Sequence, residues 1–154
     1  MSDRLTTIRR FRGSIFADAN NMKEDRKAIK DIRPSIPSIT EQHSSSAVEQ
    51  FQNQTLRPVL KLQNTLLIGI FKDYIDVRKG KFYQLPKSGQ AQFISDSIKK
   101  DQKFKHLLLG SILGHFTDEE FDYYKGEKAE INRRITTLLI QRLQDQLLNY
   151  QDGK

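Results

Sequence analysis

Two runs of apolar residues recurring every three or four positions constrain this chain more than any other feature. The first holds Leu56, Leu60, Leu66, Leu67, Ile70, Phe71, Tyr74 and Ile75. The second holds Ile131, Ile135, Leu138, Leu139, Leu143, Leu147 and Tyr150. A period near 3.6 places each run on one side of an α-helix. Such stripes must be buried against other elements. Shorter stretches repeat the pattern: Ala91, Ile94, Ser97 and Ile98 with Phe93 beside them, then Phe104, Leu107, Leu108, Ser111 and Ile112. The only strand-like stretch, Lys81 to Leu85, is too short and solitary to build a sheet. These patterns predict an all-α fold, a compact bundle of about five helices packed at shallow angles.

Local signals set the expected boundaries. Ser46 and Glu49 form S-x-x-E, which opens a short helix over residues 46–54. Pro58 sits either in a kink or, the preferred reading, in the first turn of a second, long helix capped by Thr55. That helix ends near Arg78-Lys79-Gly80, where Gly80 supplies a left-handed residue. Ser88 is expected to cap a helix to about Lys99, and Asp101 the next. Thr117-Asp118-Glu119-Glu120 is a capping box for a short helix with Phe121 and Tyr124. Gly126 breaks it, and the last helix runs from about Glu127 to Tyr150. The G-x-x-x-G spacing of Gly110 and Gly114 predicts a tight helix–helix crossing.

The hydrophobic fraction is 36%, below the ~45–50% of an average domain, so part of the chain is expected outside the core. Residues 1–45 read as a flexible polar arm and residues 46–154 as the helical domain. Within the arm, Leu5, Ile8, Phe11 and Ile15 have helical spacing among Arg4, Arg9, Arg10 and Arg12. They form either a short amphipathic helix or a frayed tail. Asn21 and Glu24 open a charged helix to about Ile32, which the prolines at 34 and 37 break. Ile32, Ile36 and Ile39 can then lie in a groove as an extended strap, before a serine-rich hinge from Gln42 to Ser46.

Several function classes are excluded. The chain has no Cys, so it can form no disulfide, thiolate zinc site, iron–sulfur cluster or thiol nucleophile. That fits a cytoplasmic location. No apolar run approaches the ~20 residues of a transmembrane segment, and an apolar signal region is lacking. Only three histidines are present, His43, His106 and His115. His115 and Glu119 are four apart, a ligand-pair spacing, but the helix restart at Thr117 falls between them. Asp118, Glu119, Glu120 and Asp122 cluster where a helix dipole favours acids. No phosphate-cradling, hydrolase or zinc-protease motif occurs. Neither a catalytic residue, nor a metal, nor a cofactor is therefore expected.

Charge is the most informative remaining signal. Residues 1–56 hold 9 basic and 7 acidic side chains, residues 57–105 hold 11 and 4, and residues 106–154 hold 6 and 8. The +7 excess thus sits in the middle of the fold. Lys79, Lys81, Lys87, Lys99, Lys100, Lys103 and Lys105 form the candidate binding face, with Phe82, Tyr83 and Phe104 among them. Such a face can attract nucleic acid or an acidic protein, with aromatics stacking on bases. Its bland alternative is a solvated lysine surface that aids solubility. A helix-turn-helix over Ser88 to Leu113 would lack the expected base-reading polar face. Arg133, Arg134 and Arg142 make a second, smaller basic strip on the last helix.

The run Phe51-Gln52-Asn53-Gln54-Thr55-Leu56-Arg57-Pro58-Val59-Leu60-Lys61-Leu62-Gln63-Asn64 resembles a small family of uncharacterised bacterial helical proteins. So do Lys103-Phe104 followed by Gly110, and Gly114-His115-Phe116-Thr117 with Glu119-Glu120. The resemblance spans roughly residues 32 to 150 and implies a shared helical domain. Some members bear the label glyoxalase, which implies an enzyme acting on 2-oxoaldehydes, although no catalytic residue carries over. The leading expectation is a non-enzymatic helical interaction module that binds an acidic partner through its basic face. The alternatives are a glyoxalase-like enzyme and a homo-oligomer assembled through the last helix.

Overall fold

The computed structural model describes residues 26–37 and 46–149, and among them every regular element is helical. Where the first stripe runs, the chain coils almost continuously from Ala47 to Val77, in segments that the sequence did not predict. Helix α1 (Ala47–Phe51) begins at Ser46, whose hydroxyl accepts the Glu49 amide at 3.2 Å. A single wide turn, Gln52–Leu56, then leads into α2 (Arg57–Leu62). In this turn the Arg57 amide donates to the Gln52 carbonyl, five residues back. Proline at 58 has no amide hydrogen, and its ring crowds the preceding turn. A π turn is one of the few ways to carry a helix past such a residue. Thr55 is therefore inside the coil and caps nothing.

Helix α3 (Asn64–Val77) follows a kink at Gln63 and buries Leu67, Phe71 and Ile75. Its exit uses two left-handed residues, Lys79 (φ 59°) and the expected Gly80 (φ 63°). Lys81–Gln84 is a 3-10 turn that drops Phe82 into the core, so the strand-like stretch makes no strand. Helix α4 (Lys87–Lys100) starts after Pro86 with no side-chain cap, so Ser88 does not serve as one. A single residue, Asp101, separates α4 from α5 (Gln102–Leu113), and its carboxylate accepts the Phe104 amide at 3.1 Å. Thr117 forms the predicted capping box with Glu120 at the start of α6 (Asp118–Gly126). Helix α7 (Lys128–Gln144) ends in a second wide turn, Asp145–Asn149.

The core is continuous. Ile131, Ile135, Leu139 and Leu143 of α7 are buried, and α4 packs against both α5 and α7. An aromatic cluster joins α3, the 3-10 turn, α4 and α5. Phe71 lies 5.8 Å edge-on from Phe82 and 6.0 Å from Phe104, while Tyr74 stacks on Phe104 at 3.9 Å. Gly110 is exposed, and a Cβ there would meet nothing within 4 Å, so the G-x-x-x-G spacing marks no close helix crossing. No helix among the described residues is long and apolar enough to cross a membrane.

Residues 26–37 lie against the domain; of the expected strap residues among those described, only Ile36 is half-buried, and a charge anchors the segment. Ile32 is exposed, whereas the Arg33 side chain is 6% exposed. The guanidinium grips Glu120 as a fork, at 2.7 and 2.6 Å, and donates to the His115 carbonyl at 2.5 Å. The Leu5–Ile15 pattern, the Asn21–Glu24 start, His43, Ile39 and the rest of the hinge before Ser46 lie outside the described residues.

Candidate polyanion-binding surface

The lysine set divides along α4. A helix of this length spans about 20 Å, so Lys87 at its start lies far from Lys99 and Lys100 at its end. The latter two meet Lys103 and Lys105 across the Asp101 corner. Arg78 reaches the same corner from α3, bonding Asp101 at 2.9 Å and lying 3.4 Å over the Tyr74 ring. Lys79 follows Arg78 in the left-handed exit from α3. Lys81 sits on the 3-10 turn that runs back along α4 toward Lys87. Lys105 is half-buried, and the other six lysines are exposed.

At the corner, acids from α4 and from the α4–α5 link take part in ion pairs. Lys100 bonds Asp96 at 3.1 Å along one helix face. Hydrogen bonds from Lys100 and Gln92 hold the Asp96 carboxyl below its ordinary value. The Phe104 amide is the main influence holding Asp101 low, with help from Tyr74 and Arg78. Four acids of the C-terminal third are engaged elsewhere. Asp118 faces Arg26, Glu120 holds Arg33, Asp122 holds Lys125, and Glu130 holds Arg133 and Arg134. That last pair of cations draws the Glu130 carboxyl down to about 2.

Helix polarity separates the lysines into two groups. Lys99 and Lys100 sit in the last turn of α4, where the dipole favours cations. Lys87 opens α4, and Lys103 and Lys105 stand in the first turn of α5, where the dipole disfavours them. The aromatics are less available than their spacing suggested. Phe82 and Phe104 are core, at 2% and 5% exposure, and only Tyr83, at 53%, faces solvent beside Lys81. The one-residue link at Asp101 also differs from the three- or four-residue turn of a DNA-binding helix pair.

The other candidates resolve into structure. Glu120, one of the clustered acids, is buried and accepts from Arg33, from the Thr55 hydroxyl at 2.9 Å and from the Thr117 amide at 2.9 Å. Burial opposes its charge, but these donors outweigh burial and hold the carboxyl below its ordinary value. Nothing in the sequence pointed to Arg33 as its partner. Glu119 faces solvent. His115 is half-buried, with one ring nitrogen 2.9 Å from the Ser111 carbonyl and the Gln63 amide against the ring. Among the described residues no group of three or more His, Cys, Asp or Glu side chains could hold a metal. Of the last helix's apolar stripe, Ile131, Ile135, Leu139 and Leu143 are buried within the chain. The exposed apolar residues Leu66, Val77 and Leu107 instead flank a groove between α3 and α5. Comparison with known protein families, curated proteins and solved structures finds no match to this chain.

Proposed function

We propose that this protein is a non-enzymatic helical interaction module that binds an acidic partner, a nucleic acid or an acidic protein, through the lysines of the α4–α5 corner. The observation that carries this reading is the placement of Lys103 and Lys105 in the first turn of α5. A lysine surface serving only solubility gains nothing from that position, because the helix dipole repels cations there. Local choices that oppose the fold tend to mark functional positions. A polyanion laid across the corner would meet these two residues together with Lys99 and Lys79. With one exposed aromatic nearby, contact with nucleic acid would be to phosphates and not to base edges, so binding would depend weakly on sequence.

The test is a salt titration of binding to mixed single-stranded and duplex nucleic acid and to polyglutamate. Each neutralised phosphate of a single strand contributes about 0.7 to the slope of log affinity against log salt. Lys99→Gln with Lys103→Gln should therefore lower that slope by about 1.4. Absence of binding to any of these polyanions at low salt, or binding insensitive to salt, overturns the reading. So does turnover of methylglyoxal, with or without added zinc or nickel, that His115→Ala or Glu119→Ala abolishes; that result would support the glyoxalase-like enzyme instead.

A further inference from the structure

Helices α2 and α7 face each other across a trough remote in sequence from the lysine corner. On α2, Arg57 and Lys61 are four residues apart and so share a face. On α7, Arg134, Leu138 and Arg142 continue at intervals of four. Two adjoining cavities, of about 350 and 250 Å³, share Arg57, Leu138 and Gln141 in their walls. The larger is roofed by the strap, where Ile36 lines it and the Ser35 carbonyl accepts Lys61 at 3.1 Å. The trough is therefore a recess and not a flat face.

Its cations are poorly matched from within. Neither Arg57, Lys61 nor Arg142 has a carboxylate within ion-pair distance among the described residues. Arg142 donates from one terminal nitrogen to the Asn64 side chain at 3.0 Å, and its Nε is buried with no partner. Burial disfavours its charge, and the nearby Arg57 adds repulsion, with Asp145 the only acid among the described residues of the walls to oppose it. Arg134 bonds Gln52 at 2.8 Å and shares Glu130 with Arg133, so two guanidiniums divide one carboxylate. Two like charges facing each other across a half-buried recess are unfavourable unless an anion lies between them.

We propose that the α2–α7 trough is a binding site for the di- or triphosphate group of a small molecule, with Arg57 and Arg142 clamping one phosphoryl group and Arg134 and Lys61 flanking it. Guanidinium forks match phosphate oxygens in geometry as well as charge. The strap roof and the limited volume select a compact polyanion over a long strand. Arg134 and Arg142 are about 12 Å apart along the helix axis, a span that linked phosphoryl groups can bridge. This site is independent of the lysine corner, and either can fail without the other.

Inorganic pyrophosphate and triphosphate are the probes, added to the full chain at constant ionic strength and followed by calorimetry and thermal melting. Both should bind and raise the melting temperature. Arg57→Gln, an exposed change, should weaken binding by about tenfold or more, while Lys99→Gln with Lys103→Gln leaves it intact. Arg142→Gln should melt no lower than the parent without ligand, because it relieves a repulsion, and should not respond to pyrophosphate. If that variant fails to fold, Arg57→Gln alone decides. No binding at millimolar pyrophosphate, equal affinity in Arg57→Gln, or protection by a single-stranded oligonucleotide but not by pyrophosphate would each overturn the proposal.

Discussion

The two ends of α5 treat positive charge in opposite ways. At its C-terminal end, the carbonyls of Gly114, His115 and Phe116 receive Arg26 and Arg33 from the N-terminal segment. Cations suit that place, because these carbonyls belong to the loop just beyond the negative end of the helix dipole. At its N-terminal end, Lys103 and Lys105 stand against the dipole, with Asp101 alone to moderate them. The first arrangement ties 26–37 to the domain. The second weakens the helix locally and leaves charge facing outward. Positive charge that stabilises a fold is thus distinguishable from positive charge that the fold merely tolerates.

The sharpest way to break this comparison is at Arg33. Arg33→Met leaves the Glu120 carboxylate buried without its forked partner, and should cost about 3–5 kcal/mol. Chemical denaturation measures it, and Arg33→Met combined with Glu120→Leu should recover much of the loss, since no orphan charge remains. The same pair predicts an acid limb. The Glu120 carboxyl lies below its ordinary value in the fold. Its contribution is therefore complete above the unfolded value of about 4.3 and is lost as pH falls through the folded one. A melting curve against pH should be flat in this contribution above about pH 5 and fall below it, and Glu120→Gln should flatten that fall.

Smaller effects sharpen the contrast. Thr117→Ala removes the capping hydroxyl of α6 and should cost about 1 kcal/mol. Lys79→Gly relieves a left-handed lysine and should stabilise by about 1 kcal/mol, while removing one charge from the corner. Lys103→Glu should stabilise α5 by about 0.3–1 kcal/mol and weaken polyanion binding. Opposite signs in stability and binding are the signature of a charge kept for a partner. A loss of both would place Lys103 among the structural residues instead.

Much of this was legible in the sequence because it is local. The apolar periods of α3 and α7 and the caps at Ser46, Asp101 and Thr117 depend on neighbours within a turn or two. Failures began where distance entered. Arg33 and Glu120 are 87 residues apart, and neither carries a local mark of the other; an acid at N3 of a capping box reads as a cap whether or not an arginine also reaches it. Phe82 and Phe104 lie near lysines in sequence but are buried, because each residue steps about 120° around a 3-10 turn and about 100° around an α-helix, so one neighbour can face the core while the next faces away from it. Pro58 does fall in the first turn of α2, but a wide turn, and not a cap at Thr55, leads into that helix. The trough between α2 and α7 showed only as arginines on one helix, and its other half, Arg57 and Lys61, lies more than 70 residues earlier.

The central claim, that the α4–α5 corner holds its lysines open for a polyanion, is tested most directly by lysine acylation read residue by residue with mass spectrometry. Without a partner, Lys79, Lys99 and Lys103 should react readily. A single-stranded oligonucleotide or polyglutamate at low salt should protect them, high salt should restore their reactivity, and Lys125 and Lys128 on the opposite charge region should not change. Uniform protection of all lysines, or none at the corner under any of these conditions, would contradict the account.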